Sequence, residues 1–75
     1  MAYISKPKPC FLDRCKKYKV VGDTQIYSYK DKFYTWDGLH GEIEVFNHIG
    51  VHISVIHPVT GIPIKAAVKG RKIDV

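Results

Sequence analysis

The sequence predicts an α+β domain: a short N-terminal helix followed by a small, twisted, mainly antiparallel β-sheet. Three observations lead there. Seventy-five residues at 8.6 kDa support one core, which excludes multidomain enzymes, helical solenoids and dinucleotide-binding folds of about 200 residues. Hydrophobic residues reach 45%, with 12% aromatic, enough to pack that core and too many for a disordered basic tail. Beyond residue 24, short aromatic and β-branched runs alternate with Gly, Pro, Asn and Asp turn signals, the pattern of a strand meander. The whole chain, residues 1–75, is read as one domain, with a basic helical lead-in over 1–24 and a β-sheet part over 25–75.

Taken in order, Pro7 and Pro9 keep the start extended. From about Cys10 to Tyr18 the pattern CFLDRCKKY suits a short helix, with Phe11, Leu12 and Cys15 on one side and Arg14, Lys16 and Lys17 outside. Val20-Val21-Gly22-Asp23 ends it in a turn. Gln25 to Tyr29 and Phe33 to Trp36 read as strands joined by the polar Lys30-Asp31-Lys32 turn. After Asp37-Gly38, two further strands are expected at about Gly41 to Asn47 and Val51 to His57, with Gly50 between them. Pro58-Val59-Thr60-Gly61 makes a tight turn before a last short strand over Ile62 to Val68, where Pro63 favours a sheet edge.

The formal charge of +5 is unevenly placed. Residues 1–36 carry eight basic and three acidic side chains; residues 37–75 carry four of each and all four histidines. A basic balance points to a polyanionic partner, nucleic acid before others. No secretory signal is visible near the start, and no apolar run approaches the ~20 residues of a membrane span. Cys10 and Cys15 on one helix would point about 140° apart, a poor disulfide geometry. With no second Cys or His pair at ligand spacing they form no zinc site, so both read as ordinary thiols.

The stretch His40-Gly41-Glu42-Ile43-Glu44-Val45-Phe46 carries the chemistry. As a strand it puts His40, Glu42 and Glu44 on one face and Ile43 and Val45 on the other, with Asp37 at the preceding turn. In the next strand Val51, Ile53 and Val55 join the apolar face and leave His52 and Ser54 opposite, where His52 approaches Glu44. The expectation is a compact, solvent-facing acid–base cluster. Polar alternation is also the ordinary wet face of a half-buried strand. Yet three carboxylates within eight positions of a basic, polyanion-seeking protein repel its ligand unless they have a task. RNA cleavage supplies one: a carboxylate takes the ribose 2′-hydroxyl proton, an imidazolium protonates the departing 5′-oxygen, and an arginine steadies the phosphate. A divalent-metal site built from Asp37, His40, Glu42 and Glu44 is the other sharp reading. It is disfavoured because alternate strand positions fan ligands out along a row.

Tyr34-Thr35-Trp36-Asp37-Gly38-Leu39-His40-Gly41-Glu42-Ile43-Glu44 closely resembles the signature of the ribosomal-RNase colicins and cloacin, aromatic-x-W-D-x-x-H-G-E-[LI]-E. The likeness runs on through Gly50-Val51-His52-Ile53, the Pro58-Val59-Thr60-Gly61 turn and Lys65 to Arg71, with one short deletion near His48. It covers roughly residues 33–73, while the N-terminal third matches poorly. His57 stands where the family usually has an acidic residue, and the tail Ile73-Asp74-Val75 is shorter and less basic.

The resemblance implies a bacteriocin-type toxin, delivered from a producer cell and acting in the cytoplasm of the target bacterium. There it would cut small-subunit (16S) ribosomal RNA at the decoding centre by metal-independent attack of the 2′-hydroxyl and halt translation. It implies no cofactor and no metal, and as partners that RNA and an acidic cognate immunity protein. Asp37, His40, Glu44 and Arg71 fall on the family's catalytic positions and Glu42 on a neighbouring carboxylate. Glu44 is expected as general base and His40 as general acid, roles that can be exchanged, with Asp37 orienting His40 and Arg71 holding the phosphate. Trp36, His52, Lys65, Lys69 and Lys72 are the expected RNA-binding residues, and one or two of Tyr27, Tyr29, Phe33, Tyr34 and Trp36 are expected to stack on bases. The alternatives are a non-catalytic basic RNA- or ribosome-binding module and a nuclease toxin of other specificity, such as one cutting transfer RNA.

Overall fold

A computed structural model describes residues 3–75. Six strands run in chain order as one antiparallel meander: β1 (Lys16–Val21), β2 (Thr24–Tyr29), β3 (Lys32–Asp37), β4 (Glu42–Phe46), β5 (His52–Ile56) and β6 (Pro63–Ala66). The five strands expected from residue 25 onward are all present, to within a few residues at their ends.

The expected N-terminal helix is absent, and the α+β assignment is corrected to an all-antiparallel sheet. Among the described residues the only helical element is a four-residue 3-10 turn, Phe11–Arg14. Asp13 accepts the Cys10 amide at 2.9 Å, and Cys15 is already extended at φ −96°, ψ 156°. The physical reason lies in the next residues. A nine-residue helix is marginal alone, and Lys16 and Lys19 would stack like charges one turn apart. As a strand the same stretch offers Tyr18, Val20 and Val21 to a partner, and β1 pairs with β2 from Lys16↔Ser28 to Val21↔Thr24. Gly22, at φ +60°, turns the hairpin at the place expected to end the helix. The lead-in is therefore partly sheet.

Both faces of the sheet bury side chains. Tyr27, Tyr34, Ile43, Val45 and Ile56 line one face beneath Cys10 and Leu12 of the N-terminal segment. That segment is tied down by Ile4 N–H to Gly38 O at 2.7 Å and Phe11 N–H to Pro58 O at 2.7 Å. Cys10 and Cys15 are free thiols, as expected. Burial pushes the Cys15 thiol up to about 11 against a smaller lowering by Arg14, so it is protonated and unreactive near neutral pH.

The opposite face carries the row Thr35, Glu44, Val55 and Lys65, placed side by side by the strand register, with Ile26 lining the same hollow as Thr35 and Glu44. The C-terminal tail crosses this face. Ile73 N–H donates to Gly50 O at 2.8 Å and His52 N–H to Arg71 O at 3.0 Å. Gly50 holds φ +89°, and a Cβ there would lie 2.3 Å from Ile73 O. Gly50→Ala is expected to cost about 1–3 kcal/mol through strain and loss of the tail bond. In calorimetry that lowers Tm by about 4–8 °C per kcal/mol; an unchanged Tm would show that the tail is not anchored there.

Candidate active site

Asp37 ends β3 and Glu42 begins β4, and the two are paired across the ladder. The turn between them holds His40, whose backbone has left the strand, so the expected i, i+2, i+4 row is broken at Gly41 (φ +66°). The turn does more than alternation would. Asp37 Oδ1 accepts the amides of Leu39 (3.0 Å) and His40 (3.3 Å), and His40 Nδ1 meets Asp37 Oδ2 at 2.7 Å. Burial works to raise the Asp37 carboxyl, but these three hydrogen bonds together outweigh it and hold the group below its ordinary value. An ionised Asp37 fixes the His40 proton on Nδ1 and leaves Nε2 to the solvent, where the His40 side chain is 63% exposed.

Glu42 and Glu44 share the face of β4 that meets β6 and the tail. Lys65 Nζ lies 2.9 Å from Glu42 Oε1. Glu44 Oε1 is held by Arg71 Nη1 and is approached by His52 Nε2 at 3.5 Å. Asp37, His40, Glu42, Glu44 and Arg71 thus line one cleft of about 220 Å³, with Val55 and Val68 as its apolar wall. All five expected catalytic residues meet there. Three donor atoms, one each from Asp37, His40 and Glu42, also lie within 4.8 Å of one another. The fan-out argument against a metal therefore fails at these three, because His40 sits in a turn, although its Nδ1 is engaged with Asp37.

The expected RNA-binding residues scatter. Lys65 reaches the cleft through Glu42. Lys72 bridges to Val51 on the rim of a neighbouring hollow of about 340 Å³, which shares Glu44 and Arg71 with the cleft. Lys69 is exposed in the turn before Arg71. Trp36 pairs with Ile43 and so lies on the other face, its Nε1 donating to Ile4 O at 3.1 Å. Tyr27 and Tyr34 are in the core, at 8% and 6% exposed, and are unavailable for stacking.

His52 is corrected most. Its side chain is 0% exposed, so it cannot meet RNA directly. Phe46 pairs with His52 while Val45 pairs with Ser54, leaving Ile53 as a bulge residue that shifts the alternation by one. His52 therefore shares Glu44's face together with Val55, whereas Ser54 points with Val45. The expected approach to Glu44 is present, but within the protein rather than in solvent. Val68 had no signal in the sequence, yet its N–H donates to His52 Nδ1 at 2.9 Å.

Burial lowers the His52 imidazole below its ordinary value; Glu44 opposes this and Arg71 adds to it. A folded value below the unfolded ~6.5 means that the stability this group contributes is complete above about pH 6.5 and is lost as the pH falls toward the folded value. Urea midpoints at pH 7.5 and 5 are expected to differ less in His52→Asn than in the native chain; equal differences would remove His52 from the acid response.

His57 has a different task. Its Nδ1 accepts the amides of Val59 (3.1 Å) and Thr60 (3.3 Å), capping the Pro58–Gly61 turn as a carboxylate would. This explains how an imidazole serves at a position where an acidic residue was expected.

Comparisons with curated proteins and with solved structures find no match. Among protein families, the one described as Cytotoxic matches residues 13–74. The match takes in the whole sheet, the cleft and Arg71, and begins well before residue 33. The chain belongs to the Cytotoxic family.

Proposed function

We propose that this chain is a toxin ribonuclease that cleaves small-subunit ribosomal RNA at the decoding centre by attack of a ribose 2′-hydroxyl on the adjacent phosphate. The observation that carries this reading is the convergence of the Asp37–His40 pair and the Arg71–Glu44 pair on one cleft. Glu44 takes the 2′-hydroxyl proton, and the 2′-oxygen bonds to phosphorus. The P–O5′ bond then breaks, leaving a 2′,3′-cyclic phosphate, and His40 delivers a proton from Nε2 to the departing 5′-oxygen. Arg71, 46% exposed beside Glu44, takes the charge that builds on the phosphate oxygens. His40 acts in its imidazolium form, with Nδ1–H held by Asp37 and the Nε2 proton turned toward the leaving oxygen. The family match supports delivery against another bacterium, and an RNA substrate and an acidic inhibitor both fit the +5 charge.

The test is to incubate intact bacterial ribosomes with the protein and sequence the RNA ends. The expected result is a short 3′ fragment of small-subunit RNA, formed equally with and without EDTA. Uncut ribosomal RNA with salt-sensitive binding would replace this reading by a binding module. Cleaved transfer RNA would change the substrate, and inhibition by EDTA would bring the Asp37–His40–Glu42 donor set back as a metal site.

A further inference from the structure

We propose that His52 is the positioning residue of this site: a buried imidazole that holds the Arg71 loop with one ring nitrogen and presents the other, as a donor, to the Glu44 carboxylate. Three contacts radiate from it. Its backbone N–H donates to Arg71 O at 3.0 Å, its Nδ1 accepts from Val68 N–H at 2.9 Å, and its Nε2 lies 3.5 Å from Glu44 Oε1. Arg71 N–H donates back to Val68 O at 3.2 Å, and the Arg71 guanidinium returns to the same Glu44 oxygen. A closed ring results, running from His52 through the 68–71 loop to Arg71, to Glu44 and back to His52.

The tautomer follows from this geometry. A backbone N–H pointing at Nδ1 requires a lone pair there, so the single ring proton sits on Nε2, facing Glu44. That Nε2 is buried and has no hydrogen-bond partner among the described residues. An unsatisfied buried donor costs about 1–3 kcal/mol, and a short movement of the Glu44 carboxylate would satisfy it. Phe46 packs edge-on against the ring at 5.3 Å and holds its plane. The charged groups facing His52 are Glu44 from β4 and Arg71 from the tail, and burial favours the neutral ring. Protonation would place a hydrogen on Nδ1 against the Val68 N–H and open the ring of contacts.

The kinetic arm rests on the ribonuclease reading, and the spectroscopic arm does not. Imidazole 15N–1H correlation spectra at pH 7 are expected to show His52 with a pyrrole-type Nε2 and an acceptor Nδ1, and the Val68 amide protected from exchange. A protonated His52, or the Nδ1–H tautomer, would overturn the proposal whether or not the protein cuts RNA. In cleavage assays His52→Asn retains an acceptor for Val68 and loses the group facing Glu44, whereas His52→Gln does the reverse. Each is expected to lower kcat by up to about 10²-fold while KM changes little, and the pH–rate profile of His52→Asn is expected to differ from the native one. Native kcat and an unmoved profile in both variants would overturn it. Failure of the native chain to cut RNA would instead remove the ribonuclease reading and leave the spectra to decide on His52.

Discussion

The Glu44→Ala variant is expected to cleave RNA about 10²–10⁴ times more slowly than the native chain, the usual worth of a general base. The loss has two sources. The proton acceptor disappears, and Arg71 and His52 lose the oxygen on which they converge, so the guanidinium is no longer held where the phosphate charge develops. Glu44→Gln separates the two. Its amide oxygen can still take the Arg71 hydrogen bond and lie beside His52, but it cannot accept the substrate proton at neutral pH. The expected result is a rate as low as that of Glu44→Ala with a native urea midpoint. His40→Ala is expected to fall in the same range, and a near-native rate in either the Glu44 or the His40 variant would refute the role assigned to that residue.

Phe46→Ala is expected to have the largest effect on stability. Phe46 is 1% exposed and lies at the centre of the face that carries Glu44, against His52. Removing a buried phenyl costs about 3–5 kcal/mol, and a small domain has about 5–15 kcal/mol in all. The variant should be partly or wholly unfolded at 37 °C, with its denaturant midpoint displaced by more than that of any single change on the rim of the cleft. A displacement equivalent to less than about 1 kcal/mol would mean that the tail-covered face does not behave as a core.

Strands β2 to β6 were legible in the sequence because each is a short aromatic or β-branched run closed by Gly, Pro, Asn or Asp, a local signal that packing reinforces. β1 was not, because Phe11, Leu12 and Cys15 satisfy a helical period by accident of spacing, and only the partner Thr24–Tyr29 makes the lysine-rich stretch a strand. The cleft was legible as a set of residues. Its geometry was less so: strand alternation cannot announce that His40 sits in a turn, or that the bulge at Ile53 brings His52 and Val55 to one side. The contact between His52 Nδ1 and the Val68 amide spans sixteen positions and involves a backbone group, for which side-chain identity carries no information.

Every strand pairs with its immediate neighbour in the chain, and this bears on the order of folding. Such a meander can zip hairpin by hairpin, each step closing only a short loop, and local pairing of this kind favours fast folding. The tail is different, since Ile73 must find Gly50 and Arg71 must find His52 across a longer loop after β4 and β5 have formed. Refolding after dilution from denaturant should therefore restore the sheet first and RNA cleavage afterwards, because the arginine is the last part of the cleft to arrive.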